Sequence, residues 1–598
     1  MLNEDAIKAL DLPDPMEVTK TVTKVMSQSQ RLVLSFIQRQ TAEGSVGMAD
    51  PNGVGAAFVD MTTRLMFNPA ALVSAQVNFW NDYVGLWQRG MSALVGGSAQ
   101  NTPATPDRRF SDDTWQDNVL FDFVKESYLL TARWVQTTVQ DADGMDEQTA
   151  KKVDFFTRQF VNALSPTNFV LTNPEVLRAT VESSGQNLLN GLSNLLDDLE
   201  RGKGRLMVSM TDLDAFELGK NVATTPGKVV FQNDLMQLLQ YTPATETARK
   251  RPLLIVPPWI NKFYILDLQE KNSFIKWAVD KGHTVFVISW VNPDETLSGK
   301  GFEDYMLEGP LAALDAIEQA TGVREVNAVG YCLGGTLLNV TLAYMAAKKD
   351  NRIKSATLFT TMLDFAEPGE LEVFIDEEQI TALEERMDRD GYLEGADMAM
   401  TFNMLRANDL IWSFFINNYL LGKDPLPFDL LYWNSDSTRM PSTMHSFYLR
   451  KMYQENLLKE AGGITLDGTP IDLTTVKTPL YFLSALEDHI APWESTYAGA
   501  KLASGPVKFV LGGSGHIAGV INPPARKKYG YWTNAKLEDT PDAWLKTAKQ
   551  KEGSWWLDWD RWVSKFAGAE VPARVPGDSK LKALENAPGS YVKKHVVH

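Results

Sequence analysis

The stretch from Val326 to Gly335 constrains the fold of this chain more than any other segment. It reads Val-Asn-Ala-Val-Gly-Tyr-Cys-Leu-Gly-Gly. Its valines predict a short buried strand, and apolar residues at positions 338, 342 and 345 follow at helical spacing. Between them lies Cys332, with glycines two residues before and two residues after it. The segment therefore predicts a strand, a sharp turn that carries a thiol, and a helix.

This arrangement predicts that Cys332 is a nucleophile. A turn of this kind is strained and lies close to neighbouring backbone, which explains the glycines. The N-terminus of the following helix favours the thiolate, and the backbone N–H of Leu333 is in position to bind an oxyanion. The alternative is a buried structural cysteine, which is the more usual role of a lone cysteine. The glycines and the strand–helix context favour the nucleophile.

Strand-like runs alternate with helical segments from about residue 228 onward, which predicts a parallel sheet. Besides the strand before Cys332, the predicted strands are 229–231, 253–256, 284–290, 353–361, 480–484 and 507–511. In α/β-hydrolases, the loop after an early strand donates a second N–H to the oxyanion. Here that loop follows strand 253–256, and Ile260 is the candidate donor.

The loops after the last two predicted strands supply the other candidate catalytic residues. One holds Glu487, Asp488 and His489 in succession, and the other ends at His516. The order cysteine, acid, histidine is the order of the triad in α/β-hydrolases. We expect Asp488 to orient His516 and His516 to deprotonate the thiol. Glu487 is the main alternative to Asp488, and His489 is an accessory candidate.

These patterns predict the fold class α/β, specifically an α/β-hydrolase fold with a mostly parallel sheet, an inserted helical cap and an N-terminal helical region. The helical region is predicted at residues 1–225. The catalytic domain is predicted in two parts, 226–363 with the nucleophile and 451–598 with the acid and the histidine. The cap is predicted at 364–450, where an acidic and then aromatic helical stretch interrupts the strand–helix alternation.

Apolar residues recur at helical spacing in the N-terminal region. One stripe comprises Val18, Val22, Val25 and Phe36, and a second comprises Val73, Val77, Trp80, Val84 and Trp87. A flexible link is predicted from Gly96 to Pro106. The stripes fit a helical core, which we favour, or a surface that docks onto a partner or an apolar phase.

Composition and charge exclude several classes of function. The net charge of −17 and a pI near 5.0 argue against nucleic-acid binding. One cysteine cannot form an intramolecular disulfide, and the acidic N-terminus has no signal-peptide pattern, so a cytoplasmic protein is expected. No apolar run predicts a transmembrane segment, and no His/Cys cluster has metal-ligand spacing. An anionic substrate would need local cations, for which Lys262 and the Arg-Lys-Lys run at 526–528 are candidates.

Several longer segments are specific when taken together and in order. They are Asn-Val-Ala-Thr-Thr-Pro-Gly-Lys-Val-Val-Phe at 221–231, Val-Pro-Pro-Trp-Ile-Asn-Lys at 256–262, Gly-Tyr-Cys-Leu-Gly-Gly at 330–335, Tyr-Trp-Asn-Ser-Asp at 432–436, Glu-Asp-His-Ile-Ala-Pro-Trp at 487–493, Ser-Gly-His-Ile-Ala-Gly-Val-Ile-Asn-Pro-Pro at 514–524 and Gly-Ser-Trp-Trp at 553–556. Through them the chain closely resembles the poly(3-hydroxyalkanoate) synthases, the bacterial polyester polymerases. The resemblance covers nearly the whole chain after about residue 60, and the triad of that family maps onto Cys332, Asp488 and His516.

The resemblance implies that the chain transfers acyl groups from (R)-3-hydroxyacyl-CoA to a growing polyester chain. A bulky apolar Leu333 and the length of the chain resemble class I synthases, which prefer short acyl groups such as 3-hydroxybutyryl. The resemblance also implies a homodimer on cytoplasmic polyester granules, with the N-terminal region aiding association with the granule and with phasins. CoA is part of the substrate and is released, so no cofactor is expected.

Two other functions stay open at this point. One is a thiol hydrolase or thioesterase that acts on acyl-CoA or polyester, since the triad order alone permits it. The other is a non-catalytic protein that coats granules, against which the intact triad argues. The base for the incoming hydroxyl group is also open, because in related synthases the aspartate that matches Asp488 has been considered alongside the histidine.

Overall fold

The computed structural model describes residues 69–94, 107–140, 145–204 and 206–595, together with the isolated residues Ala57, Asp60 and Met61. The chain divides into two units. Unit 1 comprises Met1–Asp212 and Phe402–Leu426, and unit 2 comprises Leu213–Thr401 and Pro427–Val597. The chain thus passes from unit 2 to unit 1 and back within the predicted cap. The domain boundaries given above stay predictions.

Unit 1 is helical in its described residues. Its helices are Pro69–Leu94 (α1), Thr114–Asp117 (α2), Val119–Gln140 (α3), Glu147–Ala163 (α4), Pro174–Glu182 (α5) and Gln186–Arg201 (α6). Residues 402–426 add two π-helical turns, Asn408–Trp412 and Phe415–Leu420. The second turn packs on α6, where the side-chain amide of Asn187 donates to the carbonyl oxygen of Leu420 at 2.8 Å.

The second apolar stripe forms helix α1, but it is not the core of the described part of unit 1. A different face of α1 packs on α3, with the ring of Phe79 5.1 Å from that of Trp134 and Gly90 leaving room for Phe123. The stripe at Val77, Trp80, Val84 and Trp87 stays about half exposed. The favoured prediction of a helical core is therefore wrong for this stripe, because α1 has two apolar faces and α3 covers the other one. The first stripe and the predicted link at 96–106 lie outside the described residues.

Unit 2 contains the sheet. Its strands are Gly227–Gln232 (β1), Met236–Tyr241 (β2), Thr247–Arg249 (β3), Leu253–Val256 (β4), Val285–Trp290 (β5), Val326–Tyr331 (β6), Ile353–Phe359 (β7), Tyr392–Leu393 (β8), Met440–Pro441 (β9), Thr465–Leu466 (β10), Thr469–Pro470 (β11), Leu480–Ala485 (β12), Val507–Gly512 (β13), Tyr531–Thr533 (β14), Lys549–Lys551 (β15), Glu570–Pro572 (β16) and Glu585–Asn586 (β17). Eleven of them form one sheet in the order β15-β14-β13-β12-β7-β6-β4-β5-β2-β1-β17. All seven strands predicted from the sequence belong to this sheet.

The six central strands, from β13 to β5, are mutually parallel. Antiparallel strands flank them on both sides. The remaining helices are Phe274–Asp280 (α7), Phe302–Met306 (α8), Ala312–Thr321 (α9), Leu333–Ala347 (α10), Glu377–Asp390 (α11), Gly395–Leu405 (α12), Asp429–Ser435 (α13), Ser442–Phe447 (α14), Trp493–Ala500 (α15), Pro541–Thr547 (α16) and Trp556–Val563 (α17). Because parallel strands point the same way, the loops after β6, β12 and β13 leave the sheet at the same edge.

Candidate active site

The predicted strand, turn and helix around Cys332 are confirmed. Cys332 lies between β6 and α10 with φ 52° and ψ −121°, a conformation that non-glycine residues rarely adopt. Its N–H donates to the carbonyl oxygen of Phe359 at 2.8 Å, which ties the turn to the neighbouring strand β7. A Cβ atom at Gly334 would overlap the carbonyl oxygen of Val256, and one at Gly330 would overlap the backbone of α10. The glycines are therefore required by close backbone contacts.

The histidine and the acid of the predicted triad are in direct contact. Asp488 and His516 are both 8% exposed, and His516 Nδ1 lies 2.7 Å from Asp488 Oδ2. The other carboxylate oxygen of Asp488 accepts the backbone N–H groups of Ile490 and Ala491, both at 2.9 Å. Glu487, in contrast, is exposed at the surface. Asp488, and not Glu487, is thus the carboxylate in contact with the imidazole, and its catalytic role stays a prediction.

The third predicted residue, Cys332, also reaches His516. Burial lowers the pKa of His516, but the charges of Asp488 and Cys332 and hydrogen bonds to both raise it to about 10. The ring of Tyr331 stacks on the imidazole with centroids 5.9 Å apart. His516 therefore carries a proton at neutral pH and faces a carboxylate on one side and the thiol on the other. A protonated imidazole beside a thiol is the arrangement found around catalytic cysteines.

The predicted oxyanion donors lie on two backbone segments that meet at the elbow. Leu333 is the first residue of α10, so its N–H has no acceptor within the helix. The close approach of Gly334 to Val256 brings the start of the loop 257–262 against the elbow. Ile260 is buried in that loop, and its carbonyl oxygen accepts the hydroxyl of Thr438 at 2.6 Å. The roles of both N–H groups stay predictions.

His489 directly follows Asp488 and is half-buried. A Cβ atom on Gly369 would lie 3.2 Å from its carbonyl oxygen, so its backbone packs closely on the segment that follows β7. The accessory role of His489 stays a prediction. His445 lies in the range predicted for the cap; it is fully buried in α14, and burial lowers its pKa to about 4. It is neutral at pH 7, and the Nδ1 atom has no hydrogen-bond partner among the described residues.

Two tyrosines near the thiol were missed at the level of sequence. Burial raises the pKa of both Tyr448 and Tyr453, and the charge on Cys332 raises them further, so both hydroxyls lie within electrostatic reach of the thiol. Their rings are 5.2 Å apart, and the ring of Phe365 lies 5.0 Å from Tyr453. Trp259 adds a fourth ring, 6.0 Å from Tyr448. Both tyrosines belong to the π-helical turn Tyr448–Gln454. Such a turn cannot be recognised in the sequence, so no sequence pattern identified these two residues.

The side chain of Lys262 is buried in unit 2 and paired with a carboxylate. This side chain is 3% exposed, and its ammonium lies 2.6 Å from Asp436. The second oxygen of Asp436 accepts the hydroxyl of Tyr264 at 2.8 Å, and the imidazole of His595 also contacts this carboxylate. A buried and paired ammonium cannot bind a phosphate without leaving its carboxylate uncompensated. Lys262 is therefore no longer a candidate for contacting CoA, whereas Arg526, Lys527 and Lys528 are exposed.

Neither a metal-binding cluster nor a membrane-spanning helix is present in the described residues. In those ranges, no group of three or more His, Cys, Asp and Glu side chains is arranged to hold a metal ion. In the same part of the chain, no helix is long and apolar enough to cross a membrane.

A parallel sheet with a thiol at a strained strand–helix turn and a carboxylate-bound histidine at the same edge defines an α/β-hydrolase fold. The family model of the alpha/beta hydrolase fold matches residues 251–523. The model described as Poly-beta-hydroxybutyrate polymerase (PhaC) N-terminus matches residues 106–278. A solved monoacylglycerol lipase from Paleococcus ferrophilus is 12% identical, with a TM-score of 0.31 over 56% of this chain and 98% of the lipase.

Curated relatives cover almost the whole chain. The poly(3-hydroxyalkanoate) polymerase subunit PhaC of Rhizobium meliloti (strain 1021) is 49% identical over 97% of this chain and 95% of the relative. The subunit of the same name from Rhizobium etli is 51% identical over 88% and 84%, and that from Cupriavidus necator is 42% identical over 92% and 93%. The chain therefore belongs to the poly(3-hydroxyalkanoate) polymerase family, and the resemblance is confirmed.

Proposed function

We propose that the protein polymerises (R)-3-hydroxyacyl-CoA into a polyhydroxyalkanoate polyester and releases CoA, through an acyl group held on Cys332. The observation that carries this proposal is the contact of His516 with both Asp488 and Cys332. The names of the curated relatives support the same activity. The reaction is acyl transfer in two steps, loading and chain extension.

In the loading step, the Cys332 thiolate attacks the thioester carbonyl carbon. The negative charge that develops on the carbonyl oxygen is held by the N–H of Leu333, with the N–H of Ile260 as the second donor. The C–S bond to CoA breaks, and the His516 imidazolium gives its proton to the departing sulfur. One thioester replaces another, so the acyl group stays activated at little net cost in free energy.

In the extension step, the 3-hydroxyl of another unit attacks the thioester on Cys332. The neutral imidazole of His516 takes the hydroxyl proton, an oxoester forms, and Cys332 leaves as the thiolate. The reaction is downhill because an oxoester is less activated than a thioester. Both oxygens of Asp488 are engaged by His516 and two backbone N–H groups, which supports His516 as the base.

Polymerisation requires that water does not reach the acyl-enzyme, because hydrolysis would end the chain. Tyr448 and Tyr453, which lie within electrostatic reach of the thiol, and the rings of Trp259 and Phe365 that pack on them support this requirement. These rings form an apolar environment for the acyl group. The hydroxyls of the two tyrosines supply the few polar contacts of the acyl group.

The remaining features of the proposal follow from the resemblance to class I synthases. We infer a homodimer that works at the surface of polyester granules in the cytoplasm and needs no cofactor apart from the CoA of its substrate. The exposed Trp80 and Trp87 on α1 support contact of unit 1 with an apolar phase or with phasins.

The decisive experiment gives the purified protein (R)-3-hydroxybutyryl-CoA and follows CoA release together with the acyl product. The expected result is CoA release with high-molecular-weight polyester, and loss of both in Cys332→Ala. Mass spectrometry of the quenched wild-type enzyme should find the acyl group on Cys332. CoA release with free 3-hydroxybutyrate would instead identify a thioesterase, and turnover by Cys332→Ala would remove the nucleophile from the mechanism.

A further inference from the structure

The overall negative charge of this protein repels an acyl-CoA substrate. CoA carries phosphates, and the chain has a net charge of −17. Local cations must therefore offset the repulsion between substrate and protein near the site. The described chain contains two runs of three consecutive basic residues, which we call run A (Arg249-Lys250-Arg251) and run B (Arg526-Lys527-Lys528). Their surroundings differ in two respects, position and pairing.

Run B lies at the catalytic edge of the sheet. Strand β14 is antiparallel to β13, and its first residue, Tyr531, pairs with Gly512 at the carboxyl end of β13. The residues just before β14 are therefore at the edge where Cys332 and His516 lie. Run A precedes β4 and so lies at the amino ends of the parallel strands, the opposite edge. Ligands of open α/β sheets bind at the carboxyl edge.

Run B is also fastened to the loop that carries His516. The N–H of Gly513 donates to the carbonyl oxygen of Gly530 at 2.9 Å. The side-chain amide of Asn522 donates to the carbonyl oxygen of Lys528 at the same distance. His516 lies three positions after Gly513 and Lys528 two positions before Gly530, so these short stretches and the hydrogen bond between them keep run B within about 20 Å of the catalytic histidine. The pantetheine arm of CoA bridges a separation of this kind between the thioester and the phosphates.

The two runs differ in whether their cations form ion pairs. In run A, Arg249 and Arg251 pair with Glu570 and Glu325 at 3.7 and 2.6 Å. All three side chains of run B are exposed, and none has an ion pair with any residue that the structure describes. Unpaired cations in a strongly acidic protein are available to an anionic ligand.

The backbone of run B is held in an uncommon conformation. Lys527 has φ 49° and Tyr529 has φ 54°, both in the left-handed region that non-glycine residues rarely adopt. Such strain persists where the surroundings impose it, and it is frequent at ligand-binding sites. Tyr529, which follows the three cations in the chain, is 42% exposed. A flat aromatic face beside unpaired cations matches a ligand with a purine ring and phosphates.

We propose that run B binds the phosphates of the CoA substrate and that Tyr529 stacks on its adenine ring. The inference rests on the proposed function, because it requires a CoA thioester as the substrate. It assigns run B to substrate binding alone, since acyl transfer at Cys332 takes place at the other end of the pantetheine arm. CoA recognition then depends on a segment that directly follows the catalytic histidine in the chain.

The test compares two thioesters of (R)-3-hydroxybutyrate, one with CoA and one with pantetheine, which lacks the phosphates and the adenosine. The variant is Arg526→Ala/Lys527→Ala/Lys528→Ala. The control, Lys565→Ala/Lys580→Ala/Lys582→Ala, removes the same net charge from other exposed lysines. The measured quantity is kcat/KM for the CoA thioester divided by kcat/KM for the pantetheine thioester.

For the run B variant we expect this ratio to fall about tenfold, since each exposed charge contact contributes a few tenths to one kcal/mol. The control should keep the wild-type ratio. Tyr529→Ala should lower the ratio about fivefold, the loss expected for one stacking contact. In the wild type, added salt should lower the ratio as well.

An unchanged ratio in the run B variant, or equal losses on both thioesters, would overturn the inference while leaving the proposed polymerase activity unaffected. Failure of the wild type to cleave either thioester would instead overturn the proposed function, and the inference with it.

Discussion

At the scale of single residues, the candidate site depends on one histidine that contacts two groups of opposite role. Asp488 holds one ring nitrogen of His516, and the thiol of Cys332 lies on the other side. The carboxylate is itself fixed by two backbone N–H groups, so the imidazole has a single orientation. Without this neighbour, Cys332 would be an ordinary, partly buried thiol.

The substitution Asp488→Asn tests the orientation of His516. The variant loses the negative charge that raises the pKa of His516, and its amide can favour the wrong tautomer. We expect kcat with (R)-3-hydroxybutyryl-CoA to fall by about 10³-fold or more. The matched control is Glu487→Gln at the exposed neighbouring position, which should keep wild-type kcat. Equal activity of the two variants would contradict the role of Asp488.

The three triad candidates could be predicted from sequence because each belongs to a short local pattern at the end of a strand. Residues that act through distant contacts could not. Lys262 resembled a free cation in the sequence, but its partner Asp436 is 174 residues away. Tyr448 and Tyr453 belong to a segment more than 100 residues after Cys332, and no local pattern links them to the thiol. The candidate catalytic residues could thus be predicted from the sequence, but the residues that surround them could not.

At the scale of elements, the central sheet was predictable and its margins were not. The central parallel strands are β-branched and apolar, as buried strands are. Strand β2 was missed because it contains Gln237 and Gln240, yet it is buried along its whole length. The Gln237 side chain is satisfied by hydrogen bonds to Gln232 and Ser590, which only the folded chain brings together. Strand β15, Lys-Gln-Lys, is exposed and has no strand signature.

The packing of α10 on β4 gives a prediction at this scale. In Gly334→Ala the added methyl would overlap the carbonyl oxygen of Val256, so the start of α10 must shift. We expect a loss of about 3 kcal/mol in the free energy of unfolding. Chemical denaturation monitored by tryptophan fluorescence measures it. Gly299→Ala serves as the control, because a Cβ atom there meets no other atom within 4 Å. A Gly334→Ala variant as stable as this control would contradict the close contact.

At the scale of the whole molecule, the exposed large apolar side chains are unevenly distributed. Among the described residues, most of them belong to unit 1, including Trp80 and Trp87 on α1 and Phe160 on α4. Surfaces of this kind mark contact with a partner or an apolar phase. The alternative that the sequence left open for the α1 stripe, a docking surface, is the one that agrees with this exposure.

The double substitution Trp80→Ser/Trp87→Ser tests whether this surface attaches the protein to polyester. Each side chain is about half exposed, so covering its remaining area contributes about 1 kcal/mol. We therefore expect the ratio of granule-bound to free protein to fall by about tenfold or more in a sedimentation assay with isolated granules. Phe428→Ser/Leu557→Ser removes exposed apolar groups from unit 2 and is the control. An equal loss in both variants would contradict a specific role of unit 1.

The passage of the chain from unit 2 into unit 1 and back has a consequence for biosynthesis. Unit 1 needs Leu420 and Leu421 to complete the small apolar cluster around Val176. These residues leave the ribosome some two hundred positions after the rest of unit 1, when β12 and β13 of the sheet have not yet been made. Unit 1 therefore stays without these two residues while the first half of the sheet is synthesised. The two units mature together, and a nascent chain arrested before residue 402 would expose apolar surface that molecular chaperones recognise.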